Sequence, residues 1–114
     1  MTIKHESRHT AEFLLTEGNG QISREAITLS AGDALPSGQV LGIKTDTGEY
    51  APYSNAATDG TEVAVGVLYA PLPANTSARA GVAIVRLAEV STARLTGIDA
   101  AGTADLKVRH IIVR

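Results

Sequence analysis

Glu-Val-Ala-Val-Gly-Val-Leu-Tyr (62–69) puts Val63, Val65 and Val67 at every second position. A period of two lines one face of a pleated strand with branched apolar side chains, whereas a helix would scatter the same residues around its axis. The residues before it, 54–61, are small and polar and read as a loop. Pro71 and Pro73 end the strand, because a proline ring has no N–H to give to a ladder.

Working outward, the same period recurs on both sides. Ile27 and Leu29 alternate with Thr28 and Ser30, and a turn follows at Ala31, Gly32 and Asp33. A second turn lies at Leu-Pro-Ser-Gly (35–38), with proline setting φ and glycine free to take φ > 0. It leads into the short apolar strand Val-Leu-Gly-Ile (40–43). Thr-Asp-Thr-Gly (45–48) predicts a hairpin turn into Glu-Tyr-Ala-Pro-Tyr (49–53). On the C-terminal side, residues 75–80 read as a surface loop, and 81–90 as the longest strand. Val82, Ile84, Arg86 and Ala88 would share one face, and Ala83, Val85, Leu87 and Glu89 the other. Both faces are mostly apolar, which predicts a central position or a subunit interface. The tail reads either as a short helix over 103–110, capped by Thr103 with Asp105 near its positive end, or, through the alternation of residues 106–110, as a strand; the helix is preferred, with a closing strand over 111–114.

The first 20 residues read differently. Residues 1–10 show no periodicity, and Gly18, Asn19 and Gly20 form a break. Between them lies an apolar plug, Ala-Glu-Phe-Leu-Leu-Thr-Glu (11–17). It reads either as a strand or turn packed on its own domain, or as a segment that stays mobile until a partner covers it, and the second reading is preferred here. The expected organisation is a flexible N-terminal arm over 1–20 and one β-rich domain over 21–114. The expected fold class is mainly β: a small single domain with a short helix near the C-terminus.

Composition narrows the functions. A length of 114 residues makes one compact domain. Hydrophobic residues are 44% and charged residues 19%, as in an ordinary globular protein, but one Phe and no Trp leave alanine a large share of the core. Each buried CH₂ is worth about 0.8 kcal/mol, so a thin core is expected, with subunit contacts adding to stability. The net charge of -2 and scattered basic residues argue against nucleic acid. No cysteine is present, so disulfides and thiolate metal sites are excluded. The longest apolar run near the N-terminus, Phe13-Leu14-Leu15, is too short for a signal core or a membrane span. Synthesis in a cytoplasm and no membrane partner are expected.

Candidate chemistry is sparse. Asp46-Thr47-Gly48 spells the triplet of aspartic proteases, which work as a pair of carboxylates sharing one proton. Here it follows Lys44 and Thr45 and precedes Glu49, a setting that suits a solvated turn. His5 and His9 have a helical metal-ligand spacing without a third ligand, and His110 is alone. No serine sits in a nucleophile elbow and no glycine pattern makes a nucleotide cradle. Asn-Thr-Ser (75–77) matches a glycosylation triplet by letters only. No cofactor, metal or small-molecule substrate is expected.

The order of segments carries the strongest signal. Leu-Pro-Ser-Gly-Gln-Val-Leu-Gly (35–42) and Ala-Thr-Asp-Gly-Thr-Glu-Val-Ala-Val-Gly-Val-Leu (57–68) stand between a polar leader and the strand Val-Ala-Ile-Val-Arg-Leu-Ala-Glu-Val (82–90). This arrangement resembles the head decoration proteins of tailed phages, the lambda protein D type, over nearly the whole sequence. The resemblance implies a β-clip-like fold, a homotrimer, and binding to the major capsid protein outside the expanded head at three-fold positions, stabilising it against DNA pressure. It also implies an N-terminal arm that orders on the capsid, with Phe13, Leu14, Leu15 and Ile22 as its apolar contacts. The tail departs most from the family pattern. An alternative is a fibre or baseplate β-module binding a host glycan through Tyr50, Tyr53 and Tyr69, and a remote one is a homodimeric protease using Asp46.

Overall fold

The structure is a computed structural model that describes residues 10–20 and 22–114. Among the described residues, eight strands, one 3-10 turn and one helix follow one another, and the strands fall into two groups. Strands β2 (Arg24–Leu29), β3 (Val40–Ile43), β4 (Tyr50–Pro52), β5 (Gly66–Leu68) and β6 (Arg79–Ile84) close a barrel in the order β2-β4-β3-β5-β6. Strands β1 (Leu14–Glu17), β7 (Ala88–Val90) and β8 (Ile111–Val113) form a three-stranded sheet with β7 in the middle. The helix α1 (Ala100–Val108) precedes β8. The domain is mainly β with one short C-terminal helix, as the alternation predicts.

Three neighbouring strands explain where the apolar residues go. Along β3, Val40 faces one core cluster and Leu41 the other. Val67 and Leu68 divide the same way on β5, as do Ile84 and Ala83 on β6. The first cluster adds Phe13, Tyr53, Ala88, Val90, Leu95, Leu106 and Ile111, so it lies between these strands, the small sheet and the helix. The second holds Ile27, Leu29, Leu35, Leu41, Leu68, Ala83 and Val85, all from the barrel strands and their flanks. Strands buried on two faces carry near-continuous apolar sequence, and residues 81–90 read that way because they serve two cores of one molecule.

Those residues are also two strands, not one. Leu87 takes φ 51°, a left-handed conformation costly for a branched side chain, and there the backbone leaves the barrel for the small sheet. The hairpin of residues 45–48 forms as expected: Gly48 has φ 73° and Gly48 N–H donates to Lys44 O at 2.8 Å. The two segments that carry the family resemblance are bonded neighbours, with Val40 opposite Val67 and Leu41 opposite Gly66. Gly38, in the turn before β3, has φ 92°, and a Cβ there would collide with the Arg94 carbonyl.

The helix begins earlier than the sequence predicts. Its N-cap is Asp99, whose carboxylate accepts from Gly102 N–H at 2.7 Å, and Thr103 lies inside the first turns. Asp99 Oδ1 also accepts the Tyr53 hydroxyl at 2.8 Å. Gly102 lets the helix close on that ring, since a Cβ there would lie 3.0 Å from Tyr53 Cε2. Burial first, then the Asp99 hydrogen bond, pushes the Tyr53 phenol up to about 12.

The plug of residues 11–17 takes the first of its two readings and packs on the domain. Phe13 is fully buried in the first core cluster, and Leu14 packs against it. Leu14–Glu17 is a strand paired with β7. A lone Phe and a following Leu contribute more by sealing the outer faces of Val40, Val67 and Ile84 than by waiting in water, at about 1.5–3 kcal/mol per buried large side chain. The domain therefore includes residues 10–20. Residues 1–9 of the expected arm, with His5 and His9, lie outside the described residues.

Candidate functional site

Three exposed apolar side chains, Leu15, Ile22 and Leu87, lie on the segments where β1 ends, β2 begins and β6 hands over to β7. Leu14 is opposite Val90 and Thr16 opposite Glu89, so Leu15 is an extra residue in the pairing. Such a bulge re-aims a side chain, and Leu15 is 52% exposed. Ile22 is 52% exposed and Leu87 45%. Ile22 covers the Gly18 backbone so closely that a Cβ on Gly18 would collide with its Cγ2, and the same Cβ would lie 3.7 Å from Leu87 Cβ. Ile22, Gly18 and Leu87 thus form one apolar corner, approached by the strand that carries Leu15.

A buried serine holds the corner in shape. Ser23 is fully buried. Its hydroxyl accepts from Gly18 N–H at 2.8 Å and donates to Leu87 O at 2.8 Å. One side chain therefore ties three backbone segments and fixes the residue with positive φ. Two ion pairs flank the corner. Arg24 grips Glu17 with bonds of 2.6 and 3.1 Å and lies 4.3 Å over the Tyr69 ring. The hydrogen bond to Glu17 holds the Arg24 guanidinium above its ordinary value. Arg86 Nη2 meets Glu25 at 3.3 Å, while its Nη1 donates to Ile22 O at 2.7 Å. An apolar centre inside a charged rim is the usual anatomy of a protein-binding surface.

Of the four residues expected to bind a partner, Leu15 and Ile22 are exposed, Leu14 is half-buried and Phe13 is buried. Leu87 and Ser23 are not expected from the sequence. Nothing in the letters marks a left-handed leucine or a serine that bridges 64 residues. Leu15 and Ile22 can be found because they are large, apolar and next to polar turn residues.

A second built feature lies at the loop end of the barrel. Arg79 is 6% exposed, and its guanidinium donates to Ser30 O, Asp33 O and Pro73 O over 2.8–3.2 Å. It fastens two loops that also bridge at Gly32–Asn75 and Leu35–Leu72. An open depression of about 580 Å³ lined by Gly32, Asp33, Ala74, Asn75 and Thr76 lies between them.

The residues considered for chemistry are spread apart. Asp46 is exposed at the hairpin tip, far from the buried apolar setting that a shared-proton carboxylate pair needs. His110 is exposed with φ 61° and turns the backbone from α1 to β8, its carbonyl accepting from Ala88 N–H at 3.1 Å. Among the described residues, no group of three His, Cys, Asp or Glu could hold a metal ion, and no helix is long and apolar enough to cross a membrane. The aromatic side chains are engaged within the domain: Tyr53 in the core, Tyr69 under Arg24, and Tyr50 half-buried against the second core cluster. A glycan platform needs an exposed ring face, so the tyrosines do not favour the fibre-module reading.

Comparison with protein families gives one match. The family model described as "HDPD: Bacteriophage lambda head decoration protein D" matches residues 3–111 of the 114. No curated protein matches the sequence.

Proposed function

The chain belongs to the bacteriophage lambda head decoration protein D family, and from that premise we propose that it works as a trimer. The family supports a structural, capsid-decorating role on the phage head. The finer reading is that three copies assemble, bind the major capsid protein outside the expanded shell at three-fold positions, and brace it against the pressure of packaged DNA. The protein is made in the host cytoplasm and joins the virion surface.

The observation that carries this reading is the family match over nearly the whole sequence. The apolar corner suggests how contact is made. The segment that leads into β1, with Leu15 and Ile22 beside it, forms the capsid contact. Strand β1 is an edge of the small sheet, and a partner strand can add to such an edge through backbone hydrogen bonds. Burying Leu15 and Ile22 would contribute roughly 1.5–3 kcal/mol each. Ordering a leader segment costs roughly 1–2 kcal/mol per residue, so one copy binds weakly. Three linked copies raise avidity by about 10²–10⁴, enough to turn weak contacts into a clamp. Phe13 contributes in a different way, by fixing β1 to the domain so that the contact residues are held in place.

The test uses the full-length protein. Sedimentation should give the mass of a trimer, and the protein should pellet with empty expanded shells. The double variant Leu15→Ser and Ile22→Ser should keep its fold and its mass, and its occupancy on shells should fall at least tenfold, about 1.4 kcal/mol or more. Shells saturated by the double variant as by the original protein would remove these two residues from the contact. A monomer indifferent to shells would overturn the reading itself.

A further inference from the structure

We propose that Asn19 is a self-modification site, a slow chemical timer set into the docking corner. Asn19 and Gly20 are adjacent and both exposed. Glycine has no Cβ to block approach to its own backbone nitrogen, and a Cβ built on Gly20 would meet nothing within 4 Å. Among the described residues, the Gly20 N–H and the Asn19 side chain meet no hydrogen-bond partner. Both reacting groups are therefore free.

The reaction needs only water. Gly20 N loses its proton and attacks Asn19 Cγ; a C–N bond forms and ammonia leaves. The product is a five-membered imide that contains both carbonyl carbons of residue 19. Water then opens it. Cleavage of the Cγ–N bond gives aspartate. Cleavage of the original peptide C–N bond gives isoaspartate, with an extra methylene in the backbone. No oxidant, reductant or enzyme takes part. Either product places a new carboxylate between Glu17 and Ile22, and the formal charge of the protein goes from -2 to -3.

The same molecule contains its own control. Asp59 and Gly60 form the other acid- or amide-glycine pair that could make this imide. There Asp59 Oδ1 accepts from Thr61 N–H at 3.1 Å and from Thr61 Oγ1 at 2.6 Å, and Gly60 N–H donates to Glu62 Oε1 at 2.8 Å. The electrophile is gripped and the nucleophile is occupied. The fold leaves one pair open and locks the other.

The effect on docking rests on the capsid-contact reading above. A carboxylate beside an apolar contact must be desolvated when a partner covers it. An isoaspartate lengthens the link between β1 and β2, which Ser23 otherwise holds to a fixed span. Protein that has aged before assembly would thus bind shells more weakly than fresh protein.

The experiment ages the full-length protein in warm, mildly alkaline buffer and follows it by peptide mass mapping and isoaspartate methyl labelling. The peptide with residue 19 should gain one dalton and accept label, at a rate within an order of magnitude of that in the urea-unfolded protein. Asp59 should isomerise only in the unfolded protein, and Asn19→Gln should abolish the gain at residue 19. A folded rate far below the unfolded one would overturn the proposal. The aged species, separated by ion exchange, is then pelleted with expanded shells beside fresh protein and beside Asn19→Gln. Weaker retention of the aged species alone supports the timer, and equal retention overturns its link to docking. If fresh protein also fails to bind, the capsid reading falls while the chemistry at Asn19 stands.

Discussion

The barrel and the three-stranded sheet solve the edge problem in opposite ways. The barrel closes on itself, and β2 meets β6 along six consecutive pairs from Arg24–Ile84 to Leu29–Arg79. Among the described residues the small sheet stays open, with β1 and β8 as its edges and no strand longer than four residues. Closure removes the template for further pairing; open edges keep it. The barrel also fills its interior from its own strands and their flanks, whereas the outer core is sealed by pieces from both ends of the sequence. The closed scaffold and the open sheet are thus separate, and the exposed apolar corner lies where they meet.

The largest test of that division is Phe13→Ala. It should cost about 3–5 kcal/mol, measured by denaturant unfolding, because the outer core loses its only Phe. Amide exchange should quicken first in β1, β7 and β8 and last in the β2–β6 ladder. Uniform quickening would mean that barrel and sheet are one cooperative unit.

Next comes Arg79→Met, which leaves the carbonyls of Ser30, Asp33 and Pro73 without their donor. A loss of about 2–4 kcal/mol is expected. The loops around residues 30–35 and 72–75 should lose protection while the small sheet keeps it. Equal loss in both regions would break the comparison from the barrel side.

The smallest effect is a pH dependence at the helix. Tyr53 is raised from 10.0 to about 12, so the folded state holds its proton more tightly than the unfolded state does. This contribution is fully present below about pH 10 and is lost as pH rises through about 12. It amounts to at most about 3 kcal/mol. Tyr53→Phe should flatten that alkaline limb, read by thermal melts across the range. An unchanged limb would assign the loss to other groups.

Much of the barrel is legible in the letters because its signals are local. Alternation marks Ile27 and Leu29, and Gly48 and the residues around it spell their turn. What escapes depends on distant partners or on backbone angles. The split of residues 81–90 turns on a positive φ at Leu87, and an apolar pattern is silent about φ. Asp99 does not stand out as the cap because its helix contains Gly102, which weakens the helical pattern, and the glycine is there for Tyr53. Phe13 reads as a mobile plug because its partners, Val40, Val67 and Ile84, are far along the sequence. The corner is half legible: size and polarity pick out Leu15 and Ile22, while Leu87 enters only through the fold.

The position of β7 has a consequence for how the molecule is made. Its neighbours are the first strand and the last, and the Thr16–Glu89 bond spans 73 residues. During synthesis Phe13 is made well before Val90 and Ile111, which share its core, so it has no sheet to join until they follow. Long-range closure of this kind is slow and leaves sticky surface uncovered meanwhile. The barrel strands can pair while synthesis continues, so the joint of β1, β7 and β8 sets after the barrel.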